Sequence, residues 1–467
     1  MTALRLDSIT LPGAFFLKGS EETQQQSYPV LFITALKLSK VLFGYSEYAL
    51  RVFVLAASFL SLWLFFEVAR LFLPGPWALL ALTFFCISRD LIYSSIELKP
   101  AAFDILSVLV FTWMIAAGAP SAWSRKKLIG FAAAGFILVF LSIAGIIFML
   151  SAVSCLMIYW YISKDRKSAG RLALILITLT LAAGMYYLFS LQYIREASSL
   201  RAYWSSSFFP LEDGPMVQYQ WVVVAFKRLF GKFLQYPAFL SAALFVIGLG
   251  AVWLKDKAQF IVLSVPILAA VATSAIKAYP FDGRAIFFLV PFVIVALVHG
   301  IRVAVEHSAM KRAAAAILVT SMLLAPAYAS AQQFLEHSGP EEIKPVLYYL
   351  EHHYQEGDAV FVYEGSSHAY SYYSKLYNFD APPTVIGRKD FDAAWEEYFR
   401  DRQGTGRAWV IFTHVKFDAR LNERLFILEK FKVRAQPVDA LELRVRSASV
   451  IPTLENNITA SVYLFQV

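Results

Sequence analysis

Apolar runs separated by short polar stretches fill the first two thirds of the chain, and most are long enough to cross a bilayer, which takes about 17–25 residues as a helix. They predict ten spans, near 50–73, 76–89, 100–118, 128–145, 146–163, 171–190, 236–254, 258–276, 285–304 and 312–331. The second is short enough to be partly re-entrant. Two more stretches, 29–44 and 214–237, are apolar but carry Lys37 and Lys40 in one and Lys227, Arg228 and Lys232 in the other. Helices lying in the membrane interface fit them better than crossings. Beyond residue 332 the pattern becomes that of a soluble domain of about 135 residues. There "SGPEEIKPVLYYLEHHY" reads as a helix opened by a capping box of Ser338 and Glu341, with Pro340 early in it. The segments 358–363, 383–387 and 407–414 read as strands separated by helical stretches such as 391–401. That alternation predicts a small α/β domain with a mainly parallel sheet.

The expected fold class is therefore a polytopic α-helical membrane protein with a C-terminal extracytoplasmic α/β domain. Its parts are a first-loop remnant with an interfacial helix at 1–49, a transmembrane domain at 50–331 and the α/β domain at 332–467. Composition agrees: 58% of the 467 residues are hydrophobic and 16% charged, against about a quarter charged in soluble domains. A formal net charge of +8 would suggest nucleic acid in a soluble protein. Here the basic residues cluster in the short loops 121–127, 164–171, 255–257 and 302–312, the pattern of cytoplasmic loops, so no nucleic-acid partner is expected. Cys86 and Cys155 fall inside apolar runs and predict neither a disulfide nor a metal pair. With those loops inside, ten alternating spans leave both termini outside, and an N-terminal stretch rich in Lys and Arg would have to cross unaided. A further span upstream of Met1 is the expectation that removes this difficulty.

That sidedness collects the chain's candidate chemistry on the other rim: Glu97, Lys99, Asp104, Arg195, Glu196, Arg201, Asp282 and Arg284, with Tyr93, Tyr203, Trp204 and Tyr279 among them. Ionisable groups so close to hydrocarbon either snorkel to water or form a site. The combination favours a site at headgroup depth. "IELKP" sets an acid and a base two apart, and in "YPFDGR" Pro280 and Gly283 shape a turn around Asp282 and Arg284. Lys99 and Arg284 each begin a span from this side, where both can meet one phosphate.

Three stretches in succession, "QQSYPVLFITALKLSKVLFGYSEYALR" (25–51), "YSSIELKPAAFD" (93–104) and "YPFDGRAIFFLVP" (279–291), resemble landmarks of the GT-C membrane glycosyltransferases. The resemblance is to glycosyltransferase family 39, which includes the protein mannosyltransferases and the aminoarabinose transferase of lipid A. The tail stretch "EEIKPVLYYLEHHYQEGDAVFVY" is similar to the C-terminal domain of bacterial members. The resemblance implies a multi-pass protein of a bacterial inner membrane with its C-terminal domain in the periplasm. The implied reaction passes a sugar from a polyprenyl-phosphate sugar donor to a glycan, lipid or protein acceptor, inverting the anomeric carbon, with no cofactor and no metal. By the same resemblance Lys99 and Arg284 bind the donor phosphate, and Tyr93, Glu97 and Asp282 position the site. Family members use a carboxylate just after their first span as the base, and that position is expected upstream of Met1. Asp7 is the weak candidate to replace it. A lipid-linked sugar flippase, or a catalytically inactive membrane assembly protein, are the alternatives.

Other signals have plainer readings. The "DFD" of 390–392 suits a helix N-terminus. His352 and His353, adjacent on a helix, make poor joint metal ligands. His414 ends a strand, and the sequon at 457–459 matters only in a host that glycosylates it. The C-terminal domain has no glycine-rich phosphate loop and reads as a module that guides an acceptor or partner.

Overall fold

A computed structural model describes residues 28–466 except 45, 117, 192–203, 233–234, 307–311, 336–342, 378, 380, 387–405, 416, 419–420 and 445–457. The chain divides between Phe334 and Leu335 into two compact units.

Among its described residues the first unit has helices and no strand, and each predicted span contains a helix. After α1 (Val30–Phe43) come α2 (Glu47–Phe72), α3 (Gly75–Cys86), α4 (Arg89–Ile96), α5 (Ala101–Ala116) and α6 (Arg125–Leu141). These are followed by α7 (Ile143–Ile162), α8 (Arg166–Tyr186), α9 (Pro215–Lys227), α10 (Ala238–Lys255), α11 (Lys257–Ala275), α12 (Val290–Glu306) and α13 (Arg312–Leu335). Six helical segments among the described residues are long and apolar enough to cross a bilayer unaided, one of them α12 together with the 3₁₀ segment before it. The protein is a multi-pass membrane protein. The short second run is α3 continued by α4 after a 60° bend, which the sequence leaves open as a partly re-entrant segment.

Turns between helices are tight because a polar side chain caps the next helix at once. Ser46 accepts from the Ala49 amide at 3.1 Å, Ser124 from Lys127 at 3.2 Å and Asp256 from Ala258 at 2.9 Å. The boundary expected between residues 145 and 146 falls instead at Ser142. That residue is extended, ends α6 and caps α7 by accepting from the Gly145 amide at 2.7 Å. One residue makes the whole turn, so no polar loop marks it in the sequence.

Alternating helices bring the basic loops to one end of the bundle. There Arg171 donates to the Pro120 carbonyl at 2.6 Å, Gln259 to Leu71 at 3.3 Å, and the Trp77 indole to Glu306 at 2.9 Å. Along the bundle α10 and α12 meet backbone to backbone. A Cβ on Gly248 would lie 1.8 Å from the Ala296 carbonyl oxygen, and one on Gly300 1.8 Å from that of Leu244. Small residues spaced four apart allow such close approach where no hydrophobic effect drives helices together. α1 buries Phe32, Ile33 and Leu36 on one face and leaves Leu38, Val41, Leu42 and Phe43 exposed.

The second unit is an α/β domain whose sheet is mixed. Its strands are β1 (Ala359–Tyr363), β2 (Pro383–Ile386), β3 (Arg407–Thr413), β6 (Gln436–Arg444) and β7 (Ile458–Gln466), with β4 (Phe417–Asp418) and β5 (Leu421–Asn422) a separate short pair. The order is β2-β1-β3-β7-β6; the three predicted strands run parallel, whereas β7 and β6 add on antiparallel. Alternate residues face opposite sides. Phe361, Val410, Phe412 and Phe465 pack on α16 (Glu423–Arg434). Val360, Val362, Trp409, Ile411 and Val462 pack on α14 (Lys344–His353) and α15 (Ser367–Leu376). The proposed capping box at 338–341, the helix at 391–401 and the "DFD" lie outside the described residues.

Candidate functional site

The stretch "IELKP" is placed by its ends. α4 stops at Ile96, Glu97 is extended, and Pro100 disfavours helix at the residue before it, so Lys99 sits in a bend just ahead of α5. Within that bend Lys99 Nζ and Glu97 Oε1 form an ion pair at 2.7 Å, both side chains partly exposed. Tyr93 is half-buried one turn earlier on α4. Beside the bend an apolar cavity of about 150 Å³ opens among Leu55, Phe59, Phe85, Leu91, Ala102 and Ile105.

Four residues into α5, Asp104 is buried at 7% exposure, and its Oδ1 accepts a 2.5 Å hydrogen bond from Ser142, the residue that turns α6 into α7. Tyr186, at the end of α8, and Tyr279 both lie within reach of the Asp104 charge. Tyr279 donates to the Ala285 carbonyl at 3.0 Å. Burial above all, and then the Asp104 carboxylate, raise its hydroxyl well above the usual tyrosine range, against the pull of Arg284. The Arg284 guanidinium stands 5.9 Å over the ring of Trp204.

Asp282 has a different setting. It opens the 3₁₀ segment Gly283–Leu289, accepting from the Gly283 amide at 2.6 Å, and Gly283 takes the positive φ of +50° that a side chain would resist. Its other oxygen pairs with Arg228 at 2.9 Å and accepts from Ser207 at 3.2 Å. Ser207 is itself tied to this corner, since its carbonyl accepts from the Phe281 amide at 3.0 Å and its neighbourhood is held by Ser274. Arg228 follows α9 and reads from sequence as a snorkelling residue of an interfacial helix. Nothing in a 54-residue separation signals its pairing with Asp282.

Glu97, Lys99, Asp104, Tyr279, Asp282 and Arg284 thus share the end of the bundle opposite the basic loops. Ser142, Tyr186, Ser207 and Arg228 join them, and sequence reasoning passed over all four as site residues. Three acids at this end are engaged: Glu97 with Lys99, Asp282 with Arg228, and Asp104 with Ser142. Asp7, Arg195, Glu196, Arg201 and Tyr203 lie outside the described residues. No three His, Cys, Asp or Glu side chains converge as a metal site among the described residues. In the second unit His414 ends β3 with a positive φ of +55° and its Nδ1 is 3.3 Å from Thr413 Oγ1.

No protein-family model matches the chain, and no curated protein matches it by sequence. Solved structures do match. ArnT from Cupriavidus metallidurans in the apo state aligns over 99% of this chain and 92% of its own, with a TM-score of 0.54 at 10% identity. The same protein bound to undecaprenyl phosphate aligns over the same shares with a TM-score of 0.54 at 11% identity. An oligosaccharyltransferase of Archaeoglobus fulgidus aligns over 83% of this chain and 60% of its own at a TM-score of 0.48 and 12% identity. The match to ArnT runs through both the helical bundle and the small sheet domain, and this chain has the fold of the GT-C membrane glycosyltransferases.

Proposed function

We propose that the protein is a membrane glycosyltransferase that takes a sugar from a polyprenyl-phosphate donor and passes it to an acceptor on the extracytoplasmic face of a bacterial inner membrane. One observation carries the reading: Lys99 and Arg284 stand at the same end of a GT-C bundle, opposite the basic loops, each at the start of a helical segment. The positive-inside rule then assigns the basic end to the cytoplasm and the site to the outer face. The ArnT structure with undecaprenyl phosphate supports a lipid phosphate as the ligand class.

In this reading the phosphate-proximal part of the isoprenoid chain lies against the apolar cavity beside the "IELKP" bend, the rest runs in the lipid, and its phosphate reaches Lys99 and Arg284. Lys99 has three donors and keeps Glu97 while offering another to phosphate. An acceptor oxygen bonds to the anomeric carbon as the bond from that carbon to the phosphate oxygen breaks. The electron pair leaves with the polyprenyl phosphate, and fixed cations stabilise the charge that gathers there. The acceptor's proton passes to a carboxylate, the base that the sequence resemblance implies. Asp282 and its partners Arg228 and Ser207 brace the loop from which Arg284 projects, Glu97 holds Lys99 by its ion pair, and Tyr93, one turn earlier on α4, is the further positioning residue.

Membranes containing the protein, given a panel of labelled polyprenyl-phosphate sugars, should transfer label to an envelope acceptor. Lys99→Ala and Arg284→Ala should abolish transfer while the protein still inserts. Movement of the sugar-lipid across the membrane without transfer would replace this reading with that of a flippase.

A further inference from the structure

The α/β domain holds a second cleft, of about 470 Å³, where the C-terminal end of α14 meets the edge strand β6; His352, His353, Gln355, Arg407 and Asp439 line it. Its groups are held in place before any ligand arrives. His352 Nδ1 lies 2.8 Å from the Tyr348 carbonyl and His353 Nδ1 2.8 Å from that of Tyr349. A carbonyl only accepts, so both Nδ1 atoms carry the proton and both Nε2 atoms are acceptors in the neutral rings. The imidazoles also stack on tyrosines one turn back, with centroids 4.0 Å apart for Tyr348 and His352 and 4.2 Å for Tyr349 and His353. Asp439 accepts from the Tyr349 hydroxyl, which holds the carboxyl below its usual range and ionised at neutral pH. Arg407 is already committed to the His353 carbonyl at 2.7 Å and to Asp358 at 3.4 Å, while its guanidinium stands over Trp409.

The cleft therefore offers two imidazole Nε2 acceptors and a carboxylate beside the Gln355 amide and a guanidinium already engaged. Its one guanidinium pairs with the Asp358 carboxylate behind it, and the Asp439 carboxylate lines the cleft, so these three groups together leave a formal charge of −1. An anion is disfavoured there. A ligand rich in hydroxyls, with apolar C–H faces to lie against the partly buried Tyr354 ring and the Val438 and Leu464 side chains that also line the cleft, fits this lining.

We propose that this cleft is a binding site for a neutral saccharide, the sugar portion of the acceptor. Its assignment to the acceptor rests on the transferase reading; the binding itself does not.

The test is saturation-transfer-difference NMR on the full-length protein in phosphatidylcholine nanodiscs free of glycoside detergent. The probes are free glucose, mannose, galactose, N-acetylglucosamine and their disaccharides, with inorganic phosphate as the anionic control. At least one saccharide should receive saturation on its ring C–H protons. Its affinity should fall at least tenfold in His353→Ala and in Asp439→Ala, both at exposed positions, with His353→Ala keeping the wild-type melting temperature and Asp439→Ala still unfolding in one cooperative transition. Added undecaprenyl phosphate should leave the signal in place. The proposal is overturned if no saccharide in the panel binds, if both variants bind as the wild type does, if phosphate binds in preference, or if undecaprenyl phosphate displaces the sugar. Because no donor or transfer is involved, a failure here is distinct from a failure of the transferase reading.

Discussion

Gly300→Ala should weaken the bundle more than any other single-methyl change that the described glycines of its helices allow, Gly248→Ala excepted. The added carbon would sit 1.8 Å from the Leu244 carbonyl oxygen and 2.7 Å from its carbonyl carbon. Ordinary C···O contacts lie at about 3.3–3.6 Å, so α10 and α12 must part by roughly 1.5 Å. A gap of even 0.5–1 Å forfeits about a quarter to a half of the dispersion energy across an interface. Overpacking typically costs about 1–3 kcal/mol, and a clash with backbone, which has no rotamer to change, belongs at the upper end, about 3 kcal/mol. Gly248→Ala meets the Ala296 carbonyl across the same gap. The double variant should therefore cost less than the sum of the two. Gly250→Ala on the same helix has nothing within 4 Å and serves as the neutral control. Thermal unfolding of purified protein in one detergent, followed by size-exclusion recovery, reads all four. A Gly300→Ala midpoint equal to that of Gly250→Ala would refute the close packing of these two helices.

Further expectations follow from single contacts. Ser142→Ala removes both the donor to Asp104 and the cap of α7, so about 1–3 kcal/mol of stability should be lost, measured by the same unfolding assay against Ser124→Ala, which removes a cap alone. Arg228→Ala leaves Asp282 with Ser207 and the Gly283 amide; the pair is about a third exposed, so stability should fall by no more than about 1 kcal/mol, while undecaprenyl-phosphate binding, read by native mass spectrometry, should weaken because the Arg284 loop loosens. The Tyr349 hydroxyl bond to Asp439 depresses the carboxyl pKa and pushes the tyrosine up to about 12. The carboxylate's share of stability is present above the ordinary Asp pKa and disappears as pH falls below it; the tyrosine's is present below about 10 and fades as pH rises through 12. In Tyr349→Phe the tyrosine's dependence should vanish and the carboxylate's should shrink to what the Ala440 amide still supports, so carbon NMR of the Asp439 carboxyl should titrate higher than in the wild type; an unchanged titration would show that the bond does not hold the carboxylate.

What the sequence revealed and concealed has a physical pattern. A span announces itself because burying its backbone in hydrocarbon demands an apolar run of set length, and α2, α7, α8, α10, α11 and α12 all do so. The α6–α7 turn does not, since Ser142 alone makes it and no loop residues interrupt the apolar run. In the tail, the three parallel strands stand out as short β-branched and aromatic runs with Gly, Pro and Asp around them. β7 slots between β3 and β6 by pairing across nearly fifty residues with β3, and β6 opens on Gln436 and Pro437 and alternates in polarity only weakly. Neither carries a local signal of its partner. The same limit governs the site: Glu97 and Lys99 are neighbours in sequence and paired in space, whereas the Arg228–Asp282 and Ser142–Asp104 contacts belong to tertiary structure alone.

The most direct test of the account is the affinity of undecaprenyl phosphate for the wild-type protein, Lys99→Ala, Arg284→Ala and Lys126→Ala in nanodiscs. Each charge-assisted hydrogen bond to phosphate is worth about 1.5–3 kcal/mol. The account predicts that wild type and Lys126→Ala bind alike, and that each site variant binds at least tenfold more weakly. Equal binding by all four, or none by the wild type, would contradict it.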